Sequence, residues 1–332
     1  MPPKASSLRH NIVRLVGAVG MLSAAIWILL NQTYIIDQIA VWRFTPSADM
    51  RQIASRAVLT DKGRFYLFAS RPEINDRASF NTHCRQLVEK TSILGCYVNR
   101  QIYIFNITDQ RLDGIREVTA AHEMLHAAYD RLSVSERGRI DRLIEAQATN
   151  ISDQKLKDRL ALYDQTEPGE RLNELHSILA TEIRTLSPEL ENYYRQYFTD
   201  RAKVVALAEG YETVFRQIES QQTQLIAELN QLADRIDSAS KDYETTLAAL
   251  KVDIAQFNRR ATAGEFTSQD AFNRERNQLV ARQDALQAQR DAINGMITDY
   301  HAKTAQLDTL NTTAEGLQRS IDSTLPEAPR LQ

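Results

Sequence analysis

A chain of 332 residues, 43% of them hydrophobic, has room for about two ordinary domains at roughly 150 residues each. A net charge of −3 without a concentrated basic stretch excludes the electrostatic footprint of a nucleic-acid binder. With only 11 Gly and 8 Pro, the composition favours long helices over an all-β fold.

The first feature in chain order is an uncharged stretch from Leu15 to Ile36, bounded by Arg14 and Asp37. As a helix it would span ~33 Å, enough to cross a bilayer core. Lys4, Arg9 and Arg14 precede it, so the positive-inside rule keeps the N-terminus cytoplasmic. This predicts a cytoplasmic leader over 1–14, a single-pass transmembrane signal anchor over 15–36, and the bulk of the chain outside the membrane. A cleaved signal peptide is the alternative, but no small-x-small cleavage site follows the apolar core. The sequons "NQT" at 31–33 and "NIT" at 106–108 fall in the span and in a strand, and carry no weight.

Residues 38–60 read as one amphipathic helix with Ile39, Trp42, Ile53 and Val58 inward. After the turn "DKG", the aromatic run from Phe65 to Ala69 reads as a strand. Cys84 and Cys96, placed outside the membrane, are expected to form a disulfide; two buried thiols are the alternative. "CYVNRQIYIFNI" reads as a β hairpin turning near Asn99–Arg100. Helical patterns follow at 115–132, 134–148, 153–165 and 170–186, interrupted by "TEPGE" and "SPE". Together these give a small α+β domain, a short hairpin or sheet plus helices, over 38–198.

From about Thr199 the pattern changes. Leu225, Leu229, Leu232, Ile236, Ala239 and Tyr243 alternate by four and three, and Leu247, Leu250, Ile254 and Phe257 resume after one slip. Beyond "TAGEFTSQD" a second seam keeps strict sevens: Phe272, Leu279, Leu286, Ile293, Tyr300, Leu307, Ala314, Ile321. Two such seams joined by a Gly-containing turn predict a long antiparallel coiled-coil hairpin over 199–323, able to self-associate or dock a protein partner. The tail, 324–332, is expected to be disordered.

The chemistry is carried by "AHEMLH" at 121–126. Residues i and i+4 share a helix face, so His122 and His126 can both turn to one zinc ion. Glu123, one step round, is then placed as the general base that takes a proton from the attacking water. An ordinary amphipathic helix, with Val118, Ala121, Leu125 and Ala128 as its stripe, is the alternative. The surrounding "VTAAHEMLHAAY" is small and apolar, and a buried polar trio without a shared partner would be costly, which favours a metal.

"HEMLH" at 122–126 resembles the motif of the zincin metallopeptidases. In their glutamate-ligand branch, which includes thermolysin-like and anthrax-lethal-factor-like enzymes, the third ligand comes from an E-x-x-[A/S] segment on a later helix. "NELHSILATE" at 173–182 offers Glu174 followed by Ser177, with Ser177 and Thr181 leaving that face small enough for close approach to the motif helix. The chain departs from thermolysin in lacking Asp after Ser177 and in a longer gap between motifs. The resemblance spans roughly residues 60–200. It implies zinc on His122, His126 and Glu174, a zincin-like fold, and hydrolysis of a protein or peptide substrate. Glu182 is held in reserve as third ligand and His176 behind it, and the glutamate left over could orient a ligand imidazole.

Tyr163, Tyr193 and Tyr194 are the candidate donors to a tetrahedral oxyanion. His10, His83 and His301 need no function. The reading is a membrane-anchored, extracytoplasmic zinc metallopeptidase, a hydrolase. The alternative is a coiled-coil surface, adhesion or partner-docking protein with a catalytically idle zincin domain.

Overall fold

The computed structural model describes residues 5–84, 94–166 and 169–324. The chain divides into two compact units: Met1–Val214 together with Gln318–Gln332, and Phe215–Leu317.

The first unit begins with α1 (Ala5–Leu30), which is long and apolar enough to cross a membrane and has no buried residue in its apolar stretch Val13–Leu30. After Asn31 comes α2 (Gln32–Arg43), then α3 (Ala48–Arg56). The expected single helix over 38–60 is thus two. Pro46 precedes a Ser47 N-cap whose hydroxyl accepts from the Met50 amide, and this restarts the helix as α3. Ile53 is buried and Val58 half-buried, but Ile39 and Trp42 are exposed, contrary to expectation. The reason is that α2 docks through the face carrying Asp37, Tyr34 and the half-buried Val41, which turns Ile39 and Trp42 outward.

The aromatic run at 65–69 is helical as well, forming α4 (Asp61–Ala69). Its strand preference loses to a Thr60 N-cap, which accepts from Gly63, and to tertiary packing. Gly63 is required there, because an added Cβ would lie 2.5 Å from the Tyr197 carbonyl.

The sheet has three strands among the described residues: β1 (Glu73–Asn75), β2 (Gly95–Val98) and β3 (Gln101–Phe105), in the order β1-β3-β2. β2 and β3 form the expected hairpin, with Cys96 opposite Tyr103. Asn99 and Arg100 both take positive φ, as a two-residue primed turn demands. β1 pairs parallel to β3 and had no readable pattern at three residues. Between β1 and β2 lies α5 (Arg77–Cys84), tied to β2 by the Cys84–Cys96 disulfide with its Cα atoms 6.0 Å apart.

Behind the sheet runs α6 (Ile115–Asp130), the helix that carries the motif. It is buried on nearly every side, against α3, α4, the sheet and α9 (Arg171–Thr181). That is why its sequence is rich in Ala rather than striped. Between them come α7 (Val134–Ala148), opened by a Ser133–Glu136 capping box, and α8 (Gln154–Thr166). α9 stops at Thr181, short of the expected 186. The buried Arg201 guanidinium donates to the carbonyls of Leu179, Ala180, Ile183 and Arg184, which satisfies the end of the helix. α10 (Pro188–Tyr194) then contributes the buried Tyr193 and Tyr194.

α11 (Arg201–Thr262) and α12 (Gln269–Ile321) are the two long helices. The start of α11 places Val204, Val205 and Ala208 in the core of the first unit. In the second unit the helices lie antiparallel, joined near Gly264 at φ 70°. Every predicted seam residue in this unit is buried or half-buried, including Leu229, Leu232, Leu250, Leu286 and Ile293. Ion pairs Arg260–Glu275, Arg282–Asp253 and Lys303–Glu228 fix the register. Phe257, Phe266 and Phe272 close the tip. Past Ile321, the Ser323 carbonyl accepts from Asn81 of α5 at 2.5 Å. Residues 325–332, most of the expected disordered tail, lie outside the described residues.

Candidate metal centre

His122, Glu123 and His126 of α6 bring their ligand atoms within 4.8 Å of one another. The facing helix α9 adds Glu174, whose Oε2 lies 3.5 Å from His122 Nε2 and whose Oε1 lies 3.4 Å from His126 Nε2. These separations bear on what the group could hold. A charge-assisted N–H···O bond would draw the atoms to about 2.7–2.9 Å. A tetrahedral zinc with bonds of roughly 2.0–2.2 Å holds its ligand atoms about 3.3–3.5 Å apart. The observed spacing is compatible with the edge of that tetrahedron and is long for a direct charge-assisted bond. Consistently, Glu174 Oε2 is buried without a hydrogen-bond partner.

The electrostatics point the same way. Burial pushes the Glu174 carboxyl up, yet the facing His126 and His122 rings together outweigh it and hold it at about 2. Burial pushes His122 down, but Glu174 and, behind it, Glu123 outweigh burial and leave the ring raised. A buried carboxylate that stays ionised between two imidazoles is a region of negative potential suited to a cation. The donor set of two imidazoles and a carboxylate is one that zinc accepts.

His126 is oriented from behind. Its Nδ1 lies 3.0 Å from Asn173 Oδ1, and Asn173 Nδ2 donates to Glu170 Oε2 at 3.0 Å. With Nδ1–H donating to Asn173, the Nε2 lone pair is presented towards Glu174, the tautomer a metal ligand needs. Sequence reasoning missed Asn173 and Glu170. The available signal was their i, i+3 spacing immediately ahead of Glu174.

Glu123 is buried, and desolvation raises its carboxyl above the ordinary range despite the charges of His126 and His122. A raised carboxyl is the setting a general base requires near neutral pH. β2 passes very close to it. A Cβ added at Gly95 would lie 2.8 Å from both Glu123 Cγ and Oε1, and 2.6 Å from Thr119 Cγ2. Gly95 is therefore part of the site's walls, a second residue the sequence did not single out.

The other candidates have other partners, although the Glu182 charge still acts on His122. Glu182, the reserve ligand, sits at the C-cap of α9 and pairs with Arg159 of α8. Once α9 ends at Thr181, the helical face that would have carried Glu182 inward no longer exists. His176 is fully buried, bonded through Nε2 to Tyr193 at 2.8 Å. Burial, with His126 and His122 adding to it, pushes its ring down to about 3, so it is neutral. Tyr194 donates to the His176 carbonyl at 2.8 Å. Burial raises both tyrosine hydroxyls. Among the described residues no hydrogen bond links the Tyr193 or Tyr194 hydroxyl to His122, Glu123, His126 or Glu174. The side chain of Tyr163 lies outside the described residues.

No protein-family model, no curated protein and no solved structure matches this chain.

Proposed function

We propose that the chain is a membrane-anchored zinc metallopeptidase whose His122, His126 and Glu174 hold the ion and whose Glu123 is the general base. The observation that carries this reading is the 3.4–3.5 Å spacing between the Glu174 oxygens and the two imidazole Nε2 atoms. Zinc bound there would supply Lewis acidity and lower the pKa of a water molecule towards 7. The rest is work for the chain's own residues. Glu123 takes the proton from water as it attacks the peptide carbonyl, then returns it to the leaving amine. Asn173 keeps the His126 ring in its tautomer. Among the described residues β2 pairs only with β3, which leaves its other edge as the candidate seat for an extended peptide.

The extracytoplasmic placement rests on two independent features. Lys4, Arg9 and Arg14 lie on the N-terminal side of α1, and Cys84 and Cys96 are joined as oxidising compartments allow. The zincin resemblance adds the glutamate-ligand arrangement, and the facing of Glu174 on α9 towards His122 and His126 on α6 supports it.

The test is metal content and hydrolysis of a mixed peptide pool by the full chain in detergent. The native protein should purify with one zinc and cleave the pool. Glu123→Gln should keep zinc and lose cleavage, while His126→Ala should lose both. Cleavage by Glu123→Gln at the native rate, or a native protein free of zinc after growth with zinc present, would refute the proposal. In either case the coiled-coil docking reading would take its place.

A further inference from the structure

We infer that the outward face of α2 is a lipid-docking surface, seating the first unit in the headgroup layer of the membrane that α1 enters. The inference rests on α1 being a membrane span, as proposed above, and not on the chemistry of the site.

The backbone passes from α1 to α2 through Asn31, whose φ of −112° and ψ of 16° interrupt the helix, with one helical bond on either side of it. The Asn31 amide donates to the Trp27 carbonyl at 3.0 Å, and the Ile35 amide donates to the Asn31 carbonyl at 3.0 Å. Height above the membrane therefore accumulates at no more than about 1.5 Å per residue. The uncharged stretch Leu15–Ile36 fills a hydrocarbon core of ~30 Å, which puts its outer boundary near Ile36. Ile39 then lies at most about 4.5 Å and Trp42 at most about 9 Å beyond that boundary. Headgroup layers take up roughly 5–8 Å on each side, so Ile39 stands within that layer and Trp42 at its outer edge.

The folded unit closes over one side of α2. The Tyr34 ring packs against Phe65 of α4 at 5.9 Å. Asp37, one residue past Ile36, is buried and accepts from Arg131 Nε at 2.7 Å, from Arg131 Nη2 at 2.8 Å and from Arg100 Nη2 at 2.6 Å. No linker separates span from domain. The other side of α2 is bare: Ile36 is 52%, Ile39 45% and Trp42 86% exposed. In water such a stripe is unfavourable. At the membrane interface it is favoured, Trp most of all, because an indole places its apolar body and N–H donor across the polarity gradient. Position along a helix that has just left the bilayer identifies lipid as the occupant. Arg131 also caps α6, five residues beyond His126, so the contact that seats the unit also holds the end of the motif helix near the membrane.

The chain has two tryptophans, so Trp27→Phe leaves Trp42 as its sole reporter. The full-length variant is reconstituted in phosphatidylcholine vesicles, with matched vesicles brominated either near the headgroup end or near the methyl end of the acyl chain. The expected result is a blue-shifted Trp42 emission, quenched more by the shallow bromines than by the deep ones. Water-like emission untouched by either lipid would overturn the proposal by showing that the domain stands clear of the bilayer. Blue-shifted emission untouched by either lipid would overturn it in favour of a protein partner on this face. Stronger deep than shallow quenching would also overturn it, by placing α2 in the hydrocarbon. Resistance to alkaline carbonate extraction separates the two readings: a chain that resists but is not quenched keeps its span and loses the docking surface, whereas a chain that is extracted loses both.

Discussion

Gly95→Ala tests the closeness of β2 to the motif helix more directly than any change to a ligand. An alanine Cβ would stand 2.6 Å from Thr119 Cγ2 and 2.8 Å from Glu123 Cγ and Oε1. Carbon atoms in ordinary contact keep about 3.5–4.0 Å, so strand and helix must separate by about 1 Å or Glu123 must rotate away. Neither backbone yields easily, since β2 is held by β3 and by the Cys84–Cys96 disulfide, and α6 is buried on nearly all sides. Overpacking of this kind costs about 1–3 kcal/mol, measurable by chemical denaturation of the full chain. A carboxylate displaced by about 1 Å from its working position should lower hydrolysis by about 10²-fold. Zinc content should be unchanged, because none of His122, His126 and Glu174 is among the overlapping groups. Native stability together with hydrolysis within about three-fold of the parent, well short of the loss such a displacement brings, would refute the close approach and the role given to Gly95.

The remaining predictions concern the ligands, their support and the staples of the first unit. Glu174→Ala should lose zinc by a factor of about 10–100 or more, while Glu182→Ala, which only frees Arg159, should bind zinc as the parent does; competition against a chromogenic chelator reads both. Asn173→Ala should weaken zinc by about 10-fold or more without disturbing the fold, and equal affinity would remove Asn173 from the site. Joint Cys84→Ser and Cys96→Ser replacement opens a loop of separation 12 and should cost about 3 kcal/mol of unfolding free energy. Alkylation of the unreduced, denatured parent should label no thiol. Asp37→Ala leaves Arg131 buried beside Arg100 without its carboxylate and should destabilise the first unit by about 3–5 kcal/mol, read as earlier urea unfolding.

Several features were legible because they are local or periodic. The apolar length of α1, the hairpin turn at Asn99–Arg100, the helix that carries "HEMLH" and the two heptad seams each repeat a signal over neighbouring residues, so backbone periodicity alone reveals them. The i, i+4 pair His122 and His126 belongs to the same class. Other features depended on partners distant in sequence. Phe65–Ala69 became helix because Thr60 caps it and Tyr197 packs at Gly63. α9 ended at Thr181 because Arg201 reaches back to its carbonyls, and that termination sends Glu182 to Arg159 while Glu174 faces the histidines. Trp42 turned outward because Asp37 found Arg131. In each case the local preference amounts to a few tenths of a kcal/mol up to about 1 kcal/mol per residue, which a single buried ion pair or set of satisfied carbonyls can override. The motif helix was therefore determined by the sequence itself, and the composition of the site around it by the tertiary fold.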